Sequence, residues 1–355
     1  MAIRSQLAVH RAKRGFAAAD LAARVGVSRQ TIHAMEAGSY LPNTQVALLL
    51  ARELQVTVED LFSLPAPPEA ALPIELLSPA PDGAPLRLCQ VNSKWIAAPA
   101  SAAPYFLPEA DATLTGQKAK LAISTNSFKN RLLLAGCDPA TALLASMVRQ
   151  SSGTELIATP ASSKQALEWL AQDKVHIAGS HLEDAKTGDF NLPYLRATYP
   201  KQRFAVITFA HWEEGLVVVH NNPKHISGIA DLARKNIRLM NREIGSGSRA
   251  LLDRLCQAAG IIPKNYEKTA NGHLAAASMV AFNQADCCLA TRSAARAYGL
   301  DFIPIHTERY DLVLKRASLK VPPIAAFLND LQRAPLRRKL EVLADYDTRQ
   351  TGELR

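Results

Sequence analysis

Apolar positions in residues 3–63 recur at the spacing of α-helices. Pairs such as Ile3 with Leu7 and Ile32 with Met35 stand three or four residues apart, so each pair lies on one face of a helix. Several such segments follow one another, separated by residues typical of turns. This pattern predicts a compact all-α domain of about five short helices at the start of the chain.

Residues 64–119 are rich in proline. Ten of the 21 prolines of the chain fall in this segment, which excludes long helices there. Within it, residues 86–99 alternate between apolar and polar side chains on either side of Asn92-Ser93, which predicts two short strands joined by a turn. We therefore expect a linker that contains a small β-rich module.

In residues 120–355, short apolar runs alternate with helical patterns. Strands and helices that take turns in this way are typical of α/β layers with largely parallel sheets. The segment is longer than one small doubly wound sheet requires. We therefore predict two lobes, the first at about residues 128–208 and 305–350 and the second at about residues 209–304.

Composition indicates an ordinary globular protein. Hydrophobic residues make up 48% of the chain and charged residues 21%, and no apolar run reaches the roughly 18 residues that a membrane-spanning helix needs. The first residues form a charged amphipathic pattern that differs from a secretory signal. We therefore expect a cytoplasmic protein without a membrane partner.

The five cysteines are odd in number and form no C-x-x-C pair. Neither a disulfide framework nor a zinc knuckle fits this arrangement, which suits a reducing compartment. We interpret Cys137 and the adjacent pair Cys287-Cys288 as packing residues, because strand positions favour buried thiols. The sequence predicts no metal site.

Basic residues are concentrated at the start of the chain. The net charge is +9, and residues 1–34 hold six Lys or Arg residues against the single acid Asp20. A local excess of positive charge favours a polyanionic partner such as a nucleic acid. A motif in the same region makes this expectation specific.

Residues 11–62 contain the pattern of a helix, a tight turn and a second helix. Gly26 permits the left-handed turn residue and Ser28 is a natural N-cap, while Ile32 and Met35 face inward. The segment resembles the XRE family, the repressor and Cro type of helix-turn-helix. The resemblance implies that the second helix lies in the major groove of double-stranded operator DNA, and that a homodimer or higher even oligomer reads paired half-sites. The candidate DNA-contacting residues are Ser28, Arg29, Gln30, His33, Asn43 and Thr44.

Arg29 and Gln30 are the candidates for base readout because Arg pairs well with guanine and Gln with adenine. Asn43 and Thr44 stand at a helix start, where backbone N–H groups bind phosphate. The run Ala17–Ala19 departs from the family, which usually places a phosphate-contacting polar residue at the start of its second helix. We therefore expect modest affinity for each half-site, which makes dimerisation more necessary.

Three segments place small or polar residues where a strand gives way to a helix. They are LLLAGCDP at 132–139, HIAGSH at 176–181 and NREIGSGSR at 241–249. Backbone N–H groups at such helix starts are suited to bind anions. The P-loop, the G-x-S-x-G elbow and the H-E-x-x-H helix are all missing from the sequence, so we expect no catalytic residue, no cofactor and no enzyme activity. Three histidines are interpreted as structural: His176, His181 and His273.

In this order the segments resemble a periplasmic-binding-protein-like domain of the second type, which is similar to molybdate-binding receptors. The best-matched pieces are AGCDPA, HIAGSHLEDAKTGDFN, NREIGSGSRALLDRL and GLDFIPIHTERYDLVL. The resemblance implies two lobes with a small molecule held in the cleft between them, molybdate or tungstate being the family's example. The candidate ligand-binding residues are Cys137, Asp138, Ser180, Ser246, Ser248, Arg249 and Tyr310.

Two classes of ligand remain open. Serine hydroxyls, helix N-termini and Arg249 suit a compact tetrahedral oxyanion. Asp138 would repel a dianion unless it is turned away as a helix N-cap, so a small organic acid or other metabolite is the alternative. Tyr310 either reaches the ligand or packs at the hinge.

The predicted fold class is therefore multidomain. It combines an all-α helix-turn-helix domain at residues 1–63, a short β-rich linker module at 64–119, and an α/β two-lobed periplasmic-binding-protein-like domain at 120–355. The predicted function is a ligand-responsive transcriptional regulator. An enzyme would need a nucleophile beside an orienting base, which the sequence does not reveal. A cytosolic anion-storage protein or chaperone would not need a recognition helix.

Overall fold

A computed structural model describes residues 4–63, 71–100, 107–123, 125–128, 130–264 and 266–355. Ile3, which belongs to the first predicted helical pair, lies outside these residues, as do the linker residues 64–70 and 101–106. The chain divides into two compact units, Met1–Ala70 and Ala71–Arg355.

The first unit contains helices in its described part at α1 (Leu7–Lys13), α2 (Ala18–Val25), α3 (Arg29–Glu36), α4 (Thr44–Leu54) and α5 (Val58–Leu61). The strands β1 (Arg4–Ser5) and β2 (Phe62–Ser63) pair antiparallel. Leu21, Ile32, Met35 and Leu50 are completely buried between the helices. The apolar periodicity therefore corresponds to the real core of this unit.

The turn between α2 and α3 requires a left-handed residue. Gly26 ends α2 with φ +73°, and the N–H of Val27 donates to the carbonyl oxygen of Ala22. Ser28 then caps α3 by accepting a hydrogen bond from the N–H of Thr31 at 3.0 Å. Glycine and serine thus provide the two conformations that the turn needs.

The second unit begins with a six-stranded sheet, which we call the β-module. Its strands are β3 (Ala71–Pro73), β4 (Glu75–Leu76), β5 (Pro85–Val91), β6 (Lys94–Pro99), β7 (Ala112–Thr115) and β8 (Lys118–Leu121). They lie in the order β3-β8-β7-β5-β6-β4. Asn92 and Ser93 join β5 to β6 with φ of 45° and 68°, as a tight hairpin turn requires.

The β-module differs from the linker expected at residues 64–119. Its residues Cys89, Val91 and Ile96 belong to the same buried apolar cluster as Leu133 and Leu167 of the α/β domain. Proline excludes helices but is tolerated at strand ends and edges, as Pro73, Pro85 and Pro99 show at the ends of β3, β5 and β6. The segment is therefore part of the second unit.

The rest of the second unit alternates strands and helices. Its strands are β9 (Arg131–Gly136), β10 (Glu155–Pro160), β11 (Ile177–Ser180), β12 (Phe204–Val218), β13 (Leu239–Arg242), β14 (Thr269–Ala270), β15 (Cys287–Thr291) and β16 (Asp301–Lys315). Its helices are α6 (Thr141–Ser152), α7 (Ser163–Ala171), α8 (Leu192–Thr198), α9 (Gly247–Ala259), α10 (His273–Ala281), α11 (Arg292–Ala297), α12 (Pro322–Leu331) and α13 (Ala334–Lys339). Short 3-10 turns cover Thr125–Phe128, Ile229–Ala233 and Arg316–Lys320, and a π-helical turn covers Leu340–Ala344.

One eight-stranded sheet runs through this domain in the order β10-β9-β11-β16-β12-β15-β13-β14. The strands β9, β10 and β11 pair in parallel at one end, and β13, β14 and β15 pair in parallel at the other. We call these ends the first lobe and the second lobe. The long strands β12 and β16 pair antiparallel along their length and connect the lobes.

The lobe boundaries expected near residues 208 and 305 fall inside β12 and β16. Each of these strands lies in the first lobe at one end and in the second lobe at the other. Their pairing is irregular between Thr208 and Ala210 and between Glu214 and Gly215. The two lobes are therefore joined by crossing strands, and the side chains in the middle of both strands lie between the lobes.

Helices cover both faces of the sheet. In the first lobe, α6, α12 and α13 pack on one face and α7 packs with the β-module on the other. In the second lobe, α9 packs on one face while α10 and α11 pack on the other. Among the helices of the described residues, none has the length and apolar character needed to span a membrane.

Candidate functional site

Helix α3 presents the residues expected to read DNA. Arg29, Gln30 and His33 are exposed, whereas Ile32 and Met35 on the opposite face are completely buried. The amphipathic pattern of α3 therefore leaves three polar side chains accessible to a partner. Their contact with DNA stays a prediction.

A chain of polar contacts runs along α3. Nε of Arg29 lies 3.4 Å from Nε2 of His33, whose Nδ1 lies 3.2 Å from Oε2 of Glu36. Glu36 also accepts a hydrogen bond at 2.5 Å from Nε of Arg11 on α1. These contacts orient His33 and leave Gln30 on the exposed face beside them.

Helices α4 and α2 differ in how their first turns are capped. Asn43 is exposed and accepts the N–H of Val46 at 2.9 Å, so it caps α4, which starts at the exposed Thr44. Ala17, the N-cap of α2, makes no side-chain hydrogen bond to the helix. The alanine run expected to lack a phosphate contact thus also lacks a helix cap.

The middle of the second unit holds a group of buried polar and aromatic side chains together with the half-buried Cys137, which we call the interlobe cluster. It lies where strand ends of both lobes meet the crossing strands. The first lobe contributes Cys137, Asp138 and His181; the crossing strands contribute Trp212, Glu214, Glu308 and Tyr310; the second lobe contributes Arg242, Ser248 and His273; and Tyr346 comes from the C-terminal segment.

Two histidines of the interlobe cluster face one thiol. Sγ of Cys137 lies 3.5 Å from Nε2 of His181 and 3.6 Å from Nε2 of His273. On its other side, Nδ1 of His181 lies 2.5 Å from Oε2 of Glu308, and Nδ1 of His273 lies 3.5 Å from Oε1 of Glu214. Each imidazole is therefore placed between the sulfur and a carboxylate. Two overlapping groups could hold a metal ion: Cys137 with His181 and His273, and His181 with Glu214 and Glu308.

Arg242 and Ser248 hold Glu214 in place. The hydroxyl of Ser248 donates to Oε1 of Glu214 at 2.8 Å and accepts from Arg242 at 3.1 Å. The guanidinium of Arg242 is also bonded to both carboxylate oxygens of Glu243. Its charge is therefore balanced by a neighbouring carboxylate.

Asp138 and Tyr310 lie on the first-lobe side of the cluster. Oδ1 of Asp138 accepts from the hydroxyl of Tyr346 at 2.8 Å and from the N–H of Ala140 at 2.6 Å. The ring of Tyr310 packs 4.8 Å from that of Trp212, centroid to centroid. The predicted N-cap role of Asp138 is wrong, because Ala140 is the N-cap of α6 and no side chain caps that helix. Tyr310 packs where the crossing strands pass the lobes.

Burial shifts the proton affinities of this cluster. It raises the pKa of Asp138 to about 7 and, together with the nearby Glu308, raises the pKa of Glu214 to about 8. Burial lowers the pKa of His273 well below its usual value. Burial acts in the same direction on His181, but the carboxylate of Glu308 and the neighbouring Cys137 raise the pKa of this histidine well above its usual value. The interaction with Glu308 therefore outweighs the effect of burial on the pKa of His181.

Five buried polar atoms of the interlobe cluster make no hydrogen bond to the described part of the chain. They are Oδ2 of Asp138, Nε1 of Trp212, Oε2 of Glu214, Nδ1 of His273 and the hydroxyl of Tyr310. Buried polar groups in proteins are nearly always paired. Each of these atoms is open to a hydrogen bond from water, an ion or a ligand.

The structure brings together four of the seven predicted ligand residues: Cys137, Asp138, Ser248 and Tyr310. The other three side chains are bonded elsewhere. The hydroxyl of Ser180 donates to Asn191 at 2.7 Å, and Ser246 caps α9. Arg249 pairs with Asp253 at 2.8 Å and packs over the ring of Tyr266.

Sequence reasoning missed the ionisable side chains at the centre of the cluster. His181 and His273 were interpreted as structural, and Glu214, Arg242 and Glu308 were not singled out. Cys137 stands 44 residues from His181 and 136 residues from His273, so no local spacing connects them. The only sequence signal was that Cys137 and His181 both follow strands of the same predicted lobe.

Comparison with known proteins agrees with this architecture. A family model described as a PBP superfamily domain matches residues 144–332, and a helix-turn-helix model matches residues 8–61. The uncharacterized protein YvgK of Bacillus subtilis (strain 168) is 37% identical over 187 residues, which are 52% of this chain and 60% of YvgK. The chain therefore spans less than two thirds of that relative.

Two further similarities concern single parts of the chain. An uncharacterized HTH-type transcriptional regulator of Methanocaldococcus jannaschii is 40% identical over 60 residues, which are 17% of this chain and 91% of that protein. The solved structure of the tungstate ABC transporter from Geobacter sulfurreducens covers 61% of this chain and 99% of its own at 16% identity, with a TM-score of 0.45.

The predicted fold class, a helical helix-turn-helix region followed by an α/β periplasmic-binding-protein-like domain, is confirmed. The molybdate-receptor subtype is not part of what these matches establish. An XRE-type helix-turn-helix domain comes first in the chain. Since the matched residues 144–332 make up more than half of the chain, the protein belongs to the family described as the PBP superfamily domain.

Proposed function

We propose that this protein is a ligand-responsive, non-enzymatic regulator that binds DNA through its first unit and a small ligand through its interlobe cluster. The observation that supports the ligand site is the group of five buried, unpaired polar atoms, which come from the first lobe, the second lobe and the crossing strands. A ligand held there contacts both lobes, so its binding favours the arrangement in which they meet.

Helix α3 supports the DNA-binding part of the proposal. Its exposed Arg29 and Gln30 stand in the first turn, which a helix-turn-helix places nearest the base edges. Asn43 and Thr44 stand at the exposed start of α4, where backbone N–H groups suit a phosphate. A homodimer reading paired half-sites is part of the same proposal.

The DNA-binding proposal is tested with single alanine variants on sites selected from a random-sequence DNA pool. We expect Arg29→Ala and Gln30→Ala each to reduce discrimination between the selected site and random DNA by about 1–3 kcal/mol. The matched control is Arg52→Ala, which removes an equal charge from the exposed end of α4. Fluorescence anisotropy at fixed salt provides the measurement.

Arg52→Ala should weaken binding to both DNAs similarly, because it changes only the overall charge. Unchanged discrimination in both α3 variants would remove these residues from base readout. Absence of any selected sequence would contradict the DNA-binding proposal itself.

The charges of the interlobe cluster bear on the ligand. Asp138, Glu214 and Glu308 supply three carboxyl groups, while the guanidinium of Arg242 is already paired with Glu243. A free dianion such as molybdate or tungstate finds no unpaired positive charge in Arg242, and it requires the carboxyl groups of Asp138 and Glu214 to stay protonated, as their raised pKa values allow. The oxyanion expected from the family resemblance is therefore less favoured than a cationic or neutral ligand.

A thermal-shift screen tests the ligand site. Molybdate, tungstate, small carboxylic acids and divalent transition-metal ions are compared, because a ligand at about 100 times its Kd adds about 2.7 kcal/mol of stability. A genuine interlobe ligand should lose its effect in Ser248→Ala, which releases Glu214. DNA affinity measured with and without that ligand should differ several-fold, and equal affinities at saturation would contradict the regulatory role.

One observation favours a second function. Cys137, His181 and Glu308 follow one another in the order of a nucleophile, a base and an orienting acid. Incubation with an activated ester followed by mass spectrometry tests this arrangement. A stable acyl group on Cys137 would support a thiol enzyme, whereas the regulator proposal expects none.

A further inference from the structure

We propose that Cys137, His181 and His273 bind a single transition-metal ion of the zinc type between the two lobes. This inference deepens the proposed function, on which it rests for the role of the interlobe cluster as the sensor site. It names the ligand class as a borderline or soft metal cation.

The two sulfur–nitrogen distances of the triad match a tetrahedral metal site. With Zn–S of about 2.3 Å and Zn–N of about 2.0–2.1 Å, a tetrahedral angle places sulfur and nitrogen about 3.5 Å apart. The two observed separations from Sγ of Cys137 are 3.5 Å to His181 and 3.6 Å to His273. Both imidazoles present the same atom, Nε2, to the sulfur.

The far side of each imidazole faces a carboxylate, as in many metal-bound histidines. Oε2 of Glu308 lies 2.5 Å from Nδ1 of His181, and Oε1 of Glu214 lies 3.5 Å from Nδ1 of His273 without a hydrogen bond between them. The bond to Glu308 favours the His181 tautomer that leaves Nε2 free to bind the metal. Ser248 and Arg242 in turn hold Glu214.

The second possible group, His181 with Glu214 and Glu308, fits a metal less well. Its His181–Glu308 separation of 2.5 Å is that of a hydrogen bond, whereas two ligands of one zinc ion stand about 3.3 Å or more apart. The geometry therefore assigns the carboxylates to orient the histidines and the Cys137 side to bind the metal.

Two features favour a metal over a thiol nucleophile. A nucleophile needs one base, but here two histidines approach the same sulfur at nearly equal distances. The carboxyl groups around the triad also suit a cation, because a bound positive charge favours their deprotonated form. Thiolate and imidazole select Zn²⁺ or Cu⁺ over Mg²⁺ or Ca²⁺, and three protein ligands leave a fourth position for water or a small molecule.

The triad spans the lobes. Cys137 and His181 follow β9 and β11 of the first lobe, while His273 is the first residue of α10 in the second lobe. Three bonds to one ion therefore tie the lobes together more directly than any single hydrogen bond. Metal binding becomes a means of favouring the arrangement in which the lobes meet.

Titration of the chelator-treated full chain tests the inference. Zn²⁺ affinity is measured by competition with a chromophoric chelator, and Co²⁺ is added separately to record the sulfur-to-metal charge-transfer band. We expect one ion per chain and a thiolate band with Co²⁺. Cys137→Ser, His181→Asn and His273→Gln should each lower the affinity by about 100-fold or more, and Glu308→Gln by about 10- to 100-fold.

The matched controls are Cys256→Ala, a buried cysteine of α9, and His220→Gln, an exposed histidine outside the triad. Both should keep the affinity of the unchanged protein. Circular dichroism of each metal-free variant establishes that it folds. Zn²⁺ should also protect Cys137, as located by mass spectrometry, from alkylation by iodoacetamide in the unchanged protein, which provides a readout without any substitution.

Several outcomes would overturn the metal site. These are the absence of stoichiometric binding, equal affinity in the three triad variants, and alkylation of Cys137 that Zn²⁺ does not slow. The result also separates this inference from the proposed function. Zinc bound by the triad with no change in DNA affinity would contradict the sensor role alone, whereas a DNA response to another ligand without zinc binding would contradict the metal site alone.

Discussion

Tyr310 occupies a space that two glycines leave open. A Cβ atom at Gly136 would stand 2.2 Å from the hydroxyl of Tyr310, and one at Gly179 would stand 1.8 Å from it. The hydroxyl makes no hydrogen bond to the described residues, although the backbone amides of Cys137 and Asp138 lie nearby. The two glycines therefore permit close packing where the crossing strand β16 passes the ends of β9 and β11.

This packing predicts the effect of Gly136→Ala. The added methyl group overlaps the Tyr310 hydroxyl, so the free energy of unfolding should fall by about 1–3 kcal/mol. In a Tyr310→Phe background the overlapping oxygen is gone, and the same substitution should cost clearly less. Urea denaturation of the full chain measures both. Equal costs in the two backgrounds would show that the hydroxyl does not limit this position.

His176 predicts a pH dependence of stability. Its Nδ1 accepts the N–H of Leu133 at 3.1 Å, and burial lowers the pKa of this histidine to about 4. In the unfolded chain a histidine has a pKa of about 6.5, so the unfolded state takes up a proton first as the pH falls. The stability that the neutral His176 contributes is therefore fully present above about pH 6.5, and it is lost as the pH falls from about 6.5 to about 4.

The comparison variant is His176→Gln, which keeps a hydrogen-bond acceptor and does not titrate. Between about pH 7 and pH 4.5, the unchanged protein should lose about 2 kcal/mol more stability than the variant. Urea denaturation at the two pH values provides the measurement. Parallel losses in both proteins would assign the acid sensitivity to other groups.

Among the elements, α2 lacks a cap that the sequence could easily supply. Ala17 already has the extended backbone of an N-cap, with φ −68° and ψ 151°, and it is exposed. Ala17→Ser should stabilise α2 by about 0.5–1 kcal/mol, because the serine oxygen can accept an N–H of the first turn. Hydrogen exchange of α2 amides should slow. Ala19→Ser, an exposed position inside the helix, is the control and should give no such slowing.

The β-module shows what sequence patterns reveal about elements and what they leave out. Alternation around Asn92-Ser93 correctly predicted the hairpin of β5 and β6. It gave no sign of the long-range contacts by which Asp111 bonds Arg87 at 3.1 Å and Arg131 at 2.9 Å. Arg131 belongs to β9, so this network joins the module to the first lobe. Partners that distant in sequence leave no periodic signal.

In the whole molecule, too, local patterns are visible in the sequence and long-range contacts are not. Helical spacing, the Gly26 turn and the alternation of strands and helices were sufficient to predict the helix-turn-helix unit and the α/β class, because these features are local. The interlobe cluster is assembled from side chains such as His181, His273 and Glu308, which only the crossing strands bring together. Its chemistry is therefore a product of topology and was beyond the reach of local motifs.

Gly247 provides a way to test how closely the lobes must approach. It is the first residue of α9 in the second lobe, and a Cβ atom there would stand 2.6 Å from the ring of His181 and 2.7 Å from its carbonyl oxygen in the first lobe. A rotation of the His181 ring would relieve only the contact with the ring, because the carbonyl oxygen belongs to the backbone. The apolar clusters inside each lobe do not include Gly247.

We therefore expect Gly247→Ala to hold the lobes apart while each lobe stays folded. Zinc affinity at the interlobe cluster should fall by about 10- to 100-fold, the equivalent of about 1–3 kcal/mol of overpacking. Hydrogen exchange should quicken in the peptide that contains His181. Gly228→Ala is the matched control, since a Cβ atom there meets no atom within 4 Å. Unchanged zinc affinity and exchange in Gly247→Ala would show that ligand binding does not require the lobes to meet at this point.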